Sequence, residues 1–173
     1  MRNGADRHIR MGGNIVRRLM QAGHDCVVFD ANAKAAAPLV EKGAVAATSL
    51  ADLVKKLDQR PRAAWVMLPS GDITEKAVAE LGGLMDKGDI LIDGGNSNFK
   101  DDVRRGKLLA KRGVRYMDVG TSGGVWGLVR GYCLMIGGDR DAFENLDPRF
   151  AALAPGLGDI PRTKGRDRSD PRV

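Results

Sequence analysis

Apolar positions recur at helical spacing through Met11, Ile15, Leu19 and Ala22, while Asn14, Arg17, Arg18 and Gln21 take the opposite face. This predicts an amphipathic helix opened by Met11-Gly12-Gly13-Asn14 and closed at Gly23. Cys26-Val27-Val28-Phe29-Asp30 follows as a strand. Ala33 to Lys42 reads as a helix ending at Gly43, and Ser49-Leu50-Ala51-Asp52 as a capping-box-like start to another that reaches about Leu57. Ala63 to Leu68 is too short for a typical helix and is stopped by Pro69-Ser70-Gly71, which predicts a buried strand running into a loop. Asp72 opens a helix to about Met85, and Asp89 to Asp93 is the next strand, entering the loop Gly94-Gly95-Asn96-Ser97-Asn98. Phe99, Val103, Gly106 and Leu109 share a helix face that ends at Gly113. Val114 to Val119 is a strand leading to Gly120-Thr121-Ser122-Gly123-Gly124, and Gly131 to Ile136 is a further strand. Phe143, Leu146, Phe150 and Leu153 form a last apolar stripe, which Asp147-Pro148 interrupts as the N-cap and first residue of a restarted helix. The alternation of short apolar runs and amphipathic helices predicts an α/β fold with a doubly wound parallel sheet.

Composition narrows the class. The chain has 173 residues, of which 43% are hydrophobic and 29% charged, which excludes a disordered chain and a disulfide scaffold and suits one globular domain. No apolar run approaches the ~20 residues needed to cross a bilayer, and the first residues lack the apolar core of a secretory signal, so a cytoplasmic location is expected. Cys26 and Cys133 both sit in apolar strand-like runs, which predicts buried, reduced thiols and no metal site. The net charge is +6, and the last fourteen residues hold five basic residues against two acidic ones, which predicts a basic, disordered tail over 161–173 after a domain over 1–160. Arg104, Arg105, Lys107, Lys111, Arg112 and Arg115 form a second basic cluster. No aromatic residues interleave it, so it reads as a solvated helix face rather than a nucleic-acid surface.

Dinucleotide binding in such a fold needs a strand, a tight glycine turn, a helix start facing the pyrophosphate, and an acid on the next strand for the ribose. Gly12 and Asp30 stand at about the right separation for the last two features, although Asp30 also suits a strand-end residue that only begins a turn. A carboxylate at Asp30 favours NAD over NADP by repelling a 2′-phosphate, while Lys34 and Arg17 are nearby cations. Upstream the pattern fails: with Gly12 as the third fingerprint glycine, Arg7 and Ile9 occupy the first and second positions, and Ala5 to Arg10 is too charged for a buried strand. The first strand of the Rossmann-like sheet is therefore expected to be degenerate.

The motifs Met11-Gly12-Gly13-Asn14-Ile15, Val66-Met67-Leu68-Pro69-Ser70-Gly71, Asp93-Gly94-Gly95-Asn96-Ser97, Asp118-Val119-Gly120-Thr121-Ser122-Gly123-Gly124 and Gly131-Tyr132-Cys133-Leu134-Met135-Ile136-Gly137-Gly138 resemble, in order and spacing, those of decarboxylating 6-phosphogluconate dehydrogenase. The resemblance spans about Arg10 to Ile160 and is nearest the NAD-preferring bacterial branch. It implies Met11 and Gly12 at the cofactor pyrophosphate, Asp30, Ala31 and Asn32 at the adenosine ribose, and Leu68, Pro69 and Ser70 beside the cofactor. It implies Asn96 at both cofactor and substrate, and Ser122, Gly123 and Gly124 at a phosphorylated sugar acid. The implied reaction converts 6-phosphogluconate to ribulose 5-phosphate with loss of carbon dioxide, in the pentose phosphate pathway or gluconate use. The family's proton-moving Lys and Glu lie in a following helical domain, also the main oligomer interface, which this chain lacks, so no catalytic residue is expected here and the chain is expected to be inactive alone. Loss of patterning at both edges suggests a reading-frame disturbance before Met11 and truncation after about Thr163. Another β-hydroxyacid dehydrogenase-like domain and a non-catalytic basic binding module are the alternative readings.

Overall fold

The computed structural model describes residues 5–156, with the backbone alone described for 5–10 and for Val125. The basic tail expected over 161–173 lies outside these residues. The chain begins with helix α1 (Ala5–Gln21), followed by strand β1 (Val27–Val28), α2 (Ala33–Val40), β2 (Val45–Ala46), α3 (Leu50–Lys56) and β3 (Ala63–Val66). Then come α4 (Asp72–Leu84), β4 (Ile90–Asp93), α5 (Phe99–Ala110), β5 (Arg115–Ser122), a 3-10 turn at Gly124–Trp126, α6 (Gly127–Arg130), β6 (Cys133–Gly138) and α7 (Arg140–Leu153). Among the described residues no helix is long and apolar enough to cross a membrane.

Local chemistry sets several of these starts. Ser49 accepts the Asp52 N–H at 3.0 Å while Asp52 accepts the Thr48 N–H at 2.8 Å, a reciprocal cap on α3. Asn32 and Asn98 cap α2 and α5 by accepting the N–H of Lys34 and Lys100. Arg18, on the polar face of α1, donates to the carbonyls of Ala152 and Ala154 at the end of α7 and to that of Leu128 in α6.

The strands form two sheets. β1 pairs with β2 in parallel, and β3, β4 and β5 pair in parallel with β6 antiparallel at the far edge. All four residues of β4 are buried, as expected of a strand covered on both faces. Leu91 faces one core with Val54, Leu81, Met85 and Leu109 from α3, α4 and α5. Ile90 and Ile92 face a second core with Leu146 and Phe150 of α7. Beneath the start of β3, buried Arg62 holds Asp89 through Nε at 2.7 Å and backbone N at 2.9 Å. Burial raises the Asp89 carboxyl, but Arg62 and the N–H of Asp86 outweigh it and hold the group below its ordinary range.

Five expectations change. The first helix opens at Ala5 rather than Met11, so helix stands where a degenerate strand was expected. A strand there would bury Asp6, Arg7, His8 and Arg10 in the middle of a sheet. The strand expected over Cys26 to Asp30 narrows to Val27–Val28, which has a single partner. β5 extends through Gly120, Thr121 and Ser122, because β6 folds back and pairs with them. Pro148 lies inside a continuous α7 and starts no new helix. Cys133 is exposed, since edge strand β6 turns that side chain away from the core, and Cys26 is half-buried; both are free.

Candidate functional site

In an open α/β sheet the loops beyond the carboxyl ends of parallel strands hold ligands. Here β3, β4 and β5 are neighbours in register, Val66 opposite Asp93 and Asp93 opposite Asp118. Leu68-Pro69-Ser70, Asn96 and Ser122-Gly123-Gly124 therefore follow adjacent strands onto one rim. Asp30 and Ala31 follow β1 in the same way.

Gly12, Asp30, Ala31, Leu68 and Pro69 line one cleft of about 740 Å³; Met11, Asn32, Ser70 and Asn96 are not in its walls. Met11 packs instead against the cluster of Ile15, Tyr132 and Leu153. Asn32 donates its backbone N–H to Asp30 Oδ1 at 2.7 Å and spends its side chain on capping α2. The second Asp30 oxygen has no partner among the described residues, and the side chain stands half-buried at the cleft. Ser122, Gly123 and Gly124 are exposed, and Gly124 adopts φ 51°, a left-handed conformation that favours glycine.

The loop carrying Asn96 is held from beneath. Asp93, fully buried, accepts the Gly95 N–H at 2.9 Å, the Ser97 hydroxyl at 2.6 Å and Arg105 at 3.1 Å. The Tyr116 hydroxyl lies 2.8 Å from Asp102 and 3.2 Å from Asp93, and its single proton goes to the nearer carboxylate. A Cβ on Gly95 would meet the Leu68 carbonyl oxygen at 2.7 Å, and one on Gly94 would collide with Trp65. Both glycines are thus required by close packing of this loop on β3. Burial, chiefly, pushes the Asp102 carboxyl up; it does the same to Asp118, where the Asp93 charge adds to it. Glu75 is drawn down to about 2 by Arg104 and Arg105.

Arg105 corrects the reading of the basic cluster as a solvated face: it is 3% exposed and bonded to Asp93, Glu75 and Ser97. Asp102, Arg105 and Tyr116 were not legible as site residues. The signal available was the i, i+3 spacing of Asp102 and Arg105, which puts opposite charges on one helix face.

The residues fit a dinucleotide in part. The free Asp30 oxygen at a strand end suits a ribose hydroxyl, and Leu68 and Pro69 offer an apolar wall. The pyrophosphate position does not fit: Gly12 lies about 10 Å along α1 from Ala5, so its N–H points into the helix rather than out of its start.

Residues 10–160 match the family described as the NAD binding domain of 6-phosphogluconate dehydrogenase. The NAD(+)-dependent decarboxylating 6-phosphogluconate dehydrogenase of Haloferax volcanii is 42% identical over 147 residues, covering 85% of this chain and 48% of that protein. The NAD(+)-dependent decarboxylating enzyme of Bacillus subtilis is 33% identical, covering 87% of this chain and 33% of that protein. The chain thus spans half or less of the length of these relatives. The structure of Plasmodium falciparum 6-phosphogluconate dehydrogenase superposes with TM-score 0.79 at 23% identity, over 87% of this chain and 33% of that one. Mycobacterium tuberculosis 3-hydroxyisobutyrate dehydrogenase superposes with TM-score 0.75 at 22% identity, over 84% of this chain and 49% of that one. The two superpositions establish a Rossmann-like fold, and the sequence matches place this chain in the family of 6-phosphogluconate dehydrogenase NAD-binding domains.

Proposed function

We propose that this chain is the cofactor-side portion of an NAD-preferring decarboxylating 6-phosphogluconate dehydrogenase. The observation that supports the reading is the cleft lined by Gly12, Asp30, Ala31, Leu68 and Pro69, with Asn96 following β4 and Ser122-Gly123-Gly124 at the end of the neighbouring β5. Asp30 accepts the ribose hydroxyls and repels a 2′-phosphate, which selects NAD. When bound, the nicotinamide supplies the hydride acceptor. Asn96 orients substrate beside it, while the Ser122 hydroxyl and the exposed N–H groups of Gly123 and Gly124 hold an anionic sugar acid. The groups that move protons, a Lys and a Glu in the resemblance, belong to the helical region beyond the matched residues, so turnover requires that region. The resemblance of the loop Asp93-Gly94-Gly95-Asn96-Ser97 to that of 6-phosphogluconate dehydrogenase supports a sugar acid over other β-hydroxy acids.

Titration calorimetry of this chain with NAD and NADP tests the reading. NAD is expected to bind more tightly, and Asp30→Ala to erase or reverse the preference, a change of about tenfold or more. Equal affinity of the parent chain for both, or a preference unmoved by Asp30→Ala, would overturn the assignment of Asp30.

A further inference from the structure

The loops that follow β3 and β4 are joined by one side chain that belongs to neither. On the β3 side, fully buried Thr74 in the first turn of α4 donates its hydroxyl to the Pro69 carbonyl at 2.7 Å, which ties the Leu68-Pro69-Ser70 loop to that turn. The next residue, Glu75, donates its backbone N–H to the Gly71 carbonyl at 3.0 Å and accepts from Arg105 Nε at 2.9 Å. On the β4 side, Nη1 of the same guanidinium donates to Asp93 Oδ2 and to Ser97 Oγ, each at 3.1 Å. Asp93 in turn accepts the Ser97 hydroxyl and the Gly95 N–H, from the two residues that flank Asn96. Asn96 itself is exposed, and its side-chain amide makes no hydrogen bond among the described residues. The loop is thus fixed on both sides of Asn96 and open at it, the arrangement of a group presented to a ligand.

Stability alone does not account for this arginine. A buried ion pair is a poor stabiliser beside apolar side chains of similar volume, because both charges are taken out of water. What the guanidinium offers is shape: a planar fork whose Nε and Nη1 meet different partners, which the single ammonium of a lysine cannot reproduce. From α5 it reaches Glu75 on α4 with one nitrogen and Asp93 on β4 with the other. Arg104 holds Glu75 from the solvent side at 2.8 and 2.7 Å, and the two arginines draw its carboxyl down to about 2, so the link stays charged across the neutral range. We propose that Arg105 is a positioning residue that locks the Leu68-Pro69-Ser70 loop and the Asn96 loop into one unit, so that the wall beside the cofactor and the amide shared by cofactor and sugar acid keep a fixed separation. The identity of these ligands rests on the function proposed above. The link itself does not, since Glu75, Arg105 and Asp93 are joined without a nucleotide.

Two variants test the link. Glu75→Gln removes the charge on α4 at a half-buried site and leaves Arg105 on Asp93, whereas Arg105→Lys keeps the charge but cannot span both partners. Amide exchange of the nucleotide-free chain is read at Gly95, whose N–H is bonded to Asp93. In both variants it is expected to speed up about tenfold, with Leu91 and Met117 in the sheet unchanged. Glu75 makes no hydrogen bond to the Asn96 loop among the described residues, so an effect of Glu75→Gln at Gly95 travels through Arg105. A Gly95 amide unmoved by Glu75→Gln, or an acceleration in that variant that extends to Leu91 and Met117, would overturn the proposal. Titration with NAD and with ADP adds the ligand side, since both meet Asp30 but only NAD carries a nicotinamide toward Asn96. Both variants are expected to lose about tenfold in NAD affinity and less than about twofold in ADP affinity. An equal loss for the two nucleotides would reduce Arg105 to a support of the fold and overturn its positioning role. Failure of the parent chain to bind either nucleotide would instead overturn the cofactor reading, and the exchange at Gly95 then decides the link by itself.

Discussion

Beneath the Asn96 loop, Asp102 accepts from Tyr116 with one oxygen, while the other is buried without a partner. Its carboxyl is raised above the ordinary 3.8, chiefly by burial, so the folded chain binds that proton more tightly than the unfolded one. Stability from this group is therefore fullest below about pH 3.8 and is lost as pH rises through the folded value. Asp102→Asn keeps the acceptor and removes the buried charge, and is expected to raise the thermal midpoint at pH 7 by about 3 °C. The gain should vanish below pH 3.8; a gain independent of pH, or a loss at pH 7, would contradict this account. The loop motif itself was readable from its small polar residues, but the carboxylate holding it was not. Asp93 is ordinary in the sequence and becomes the loop's anchor only when Gly95, Ser97 and, from α5, Arg105 donate to it.

The buried side of α5 is formed by Asp102, Arg105 and Leu109, whereas Phe99 is 67% and Val103 54% exposed. Apolar spacing placed Leu109 correctly but failed at Phe99 and Val103, because the mutually paired charges of Asp102 and Arg105 take the core-facing positions there. The start of α3 was readable because its cap is local: Ser49 and Asp52 lie within one turn. The course of α7 was not, because Pro148 signals a boundary that Leu146, Phe150 and Leu153 override by packing into the cores. The proline removes one helical hydrogen bond at an exposed position. Pro148→Ala is expected to raise unfolding free energy by up to about 3 kcal/mol in urea titration, with no change in the slope. A destabilised variant would show that proline stiffness outweighs the missing bond.

At the scale of the molecule, the alternation of strands and helices correctly gave an α/β class and a parallel β3–β4–β5 run, because those signals repeat along the chain. The division into two sheets was not foreseen, since it depends on what lies between β1 and β3 rather than on either strand. It has a consequence for how the protein melts. A continuous sheet couples its strands through one hydrogen-bond ladder; here the β1–α2–β2 unit is tied to the remainder through side-chain packing of α1 on α2, α6 and α7 and of α3 on α4 and β1. Such packing is a weaker route for cooperativity than a shared ladder. Scanning calorimetry is expected to give a measured enthalpy above the van't Hoff value, the β1–α2–β2 unit opening at the lower temperature. A ratio of one would mean that α1 and α3 by themselves weld the two halves into a single cooperative unit.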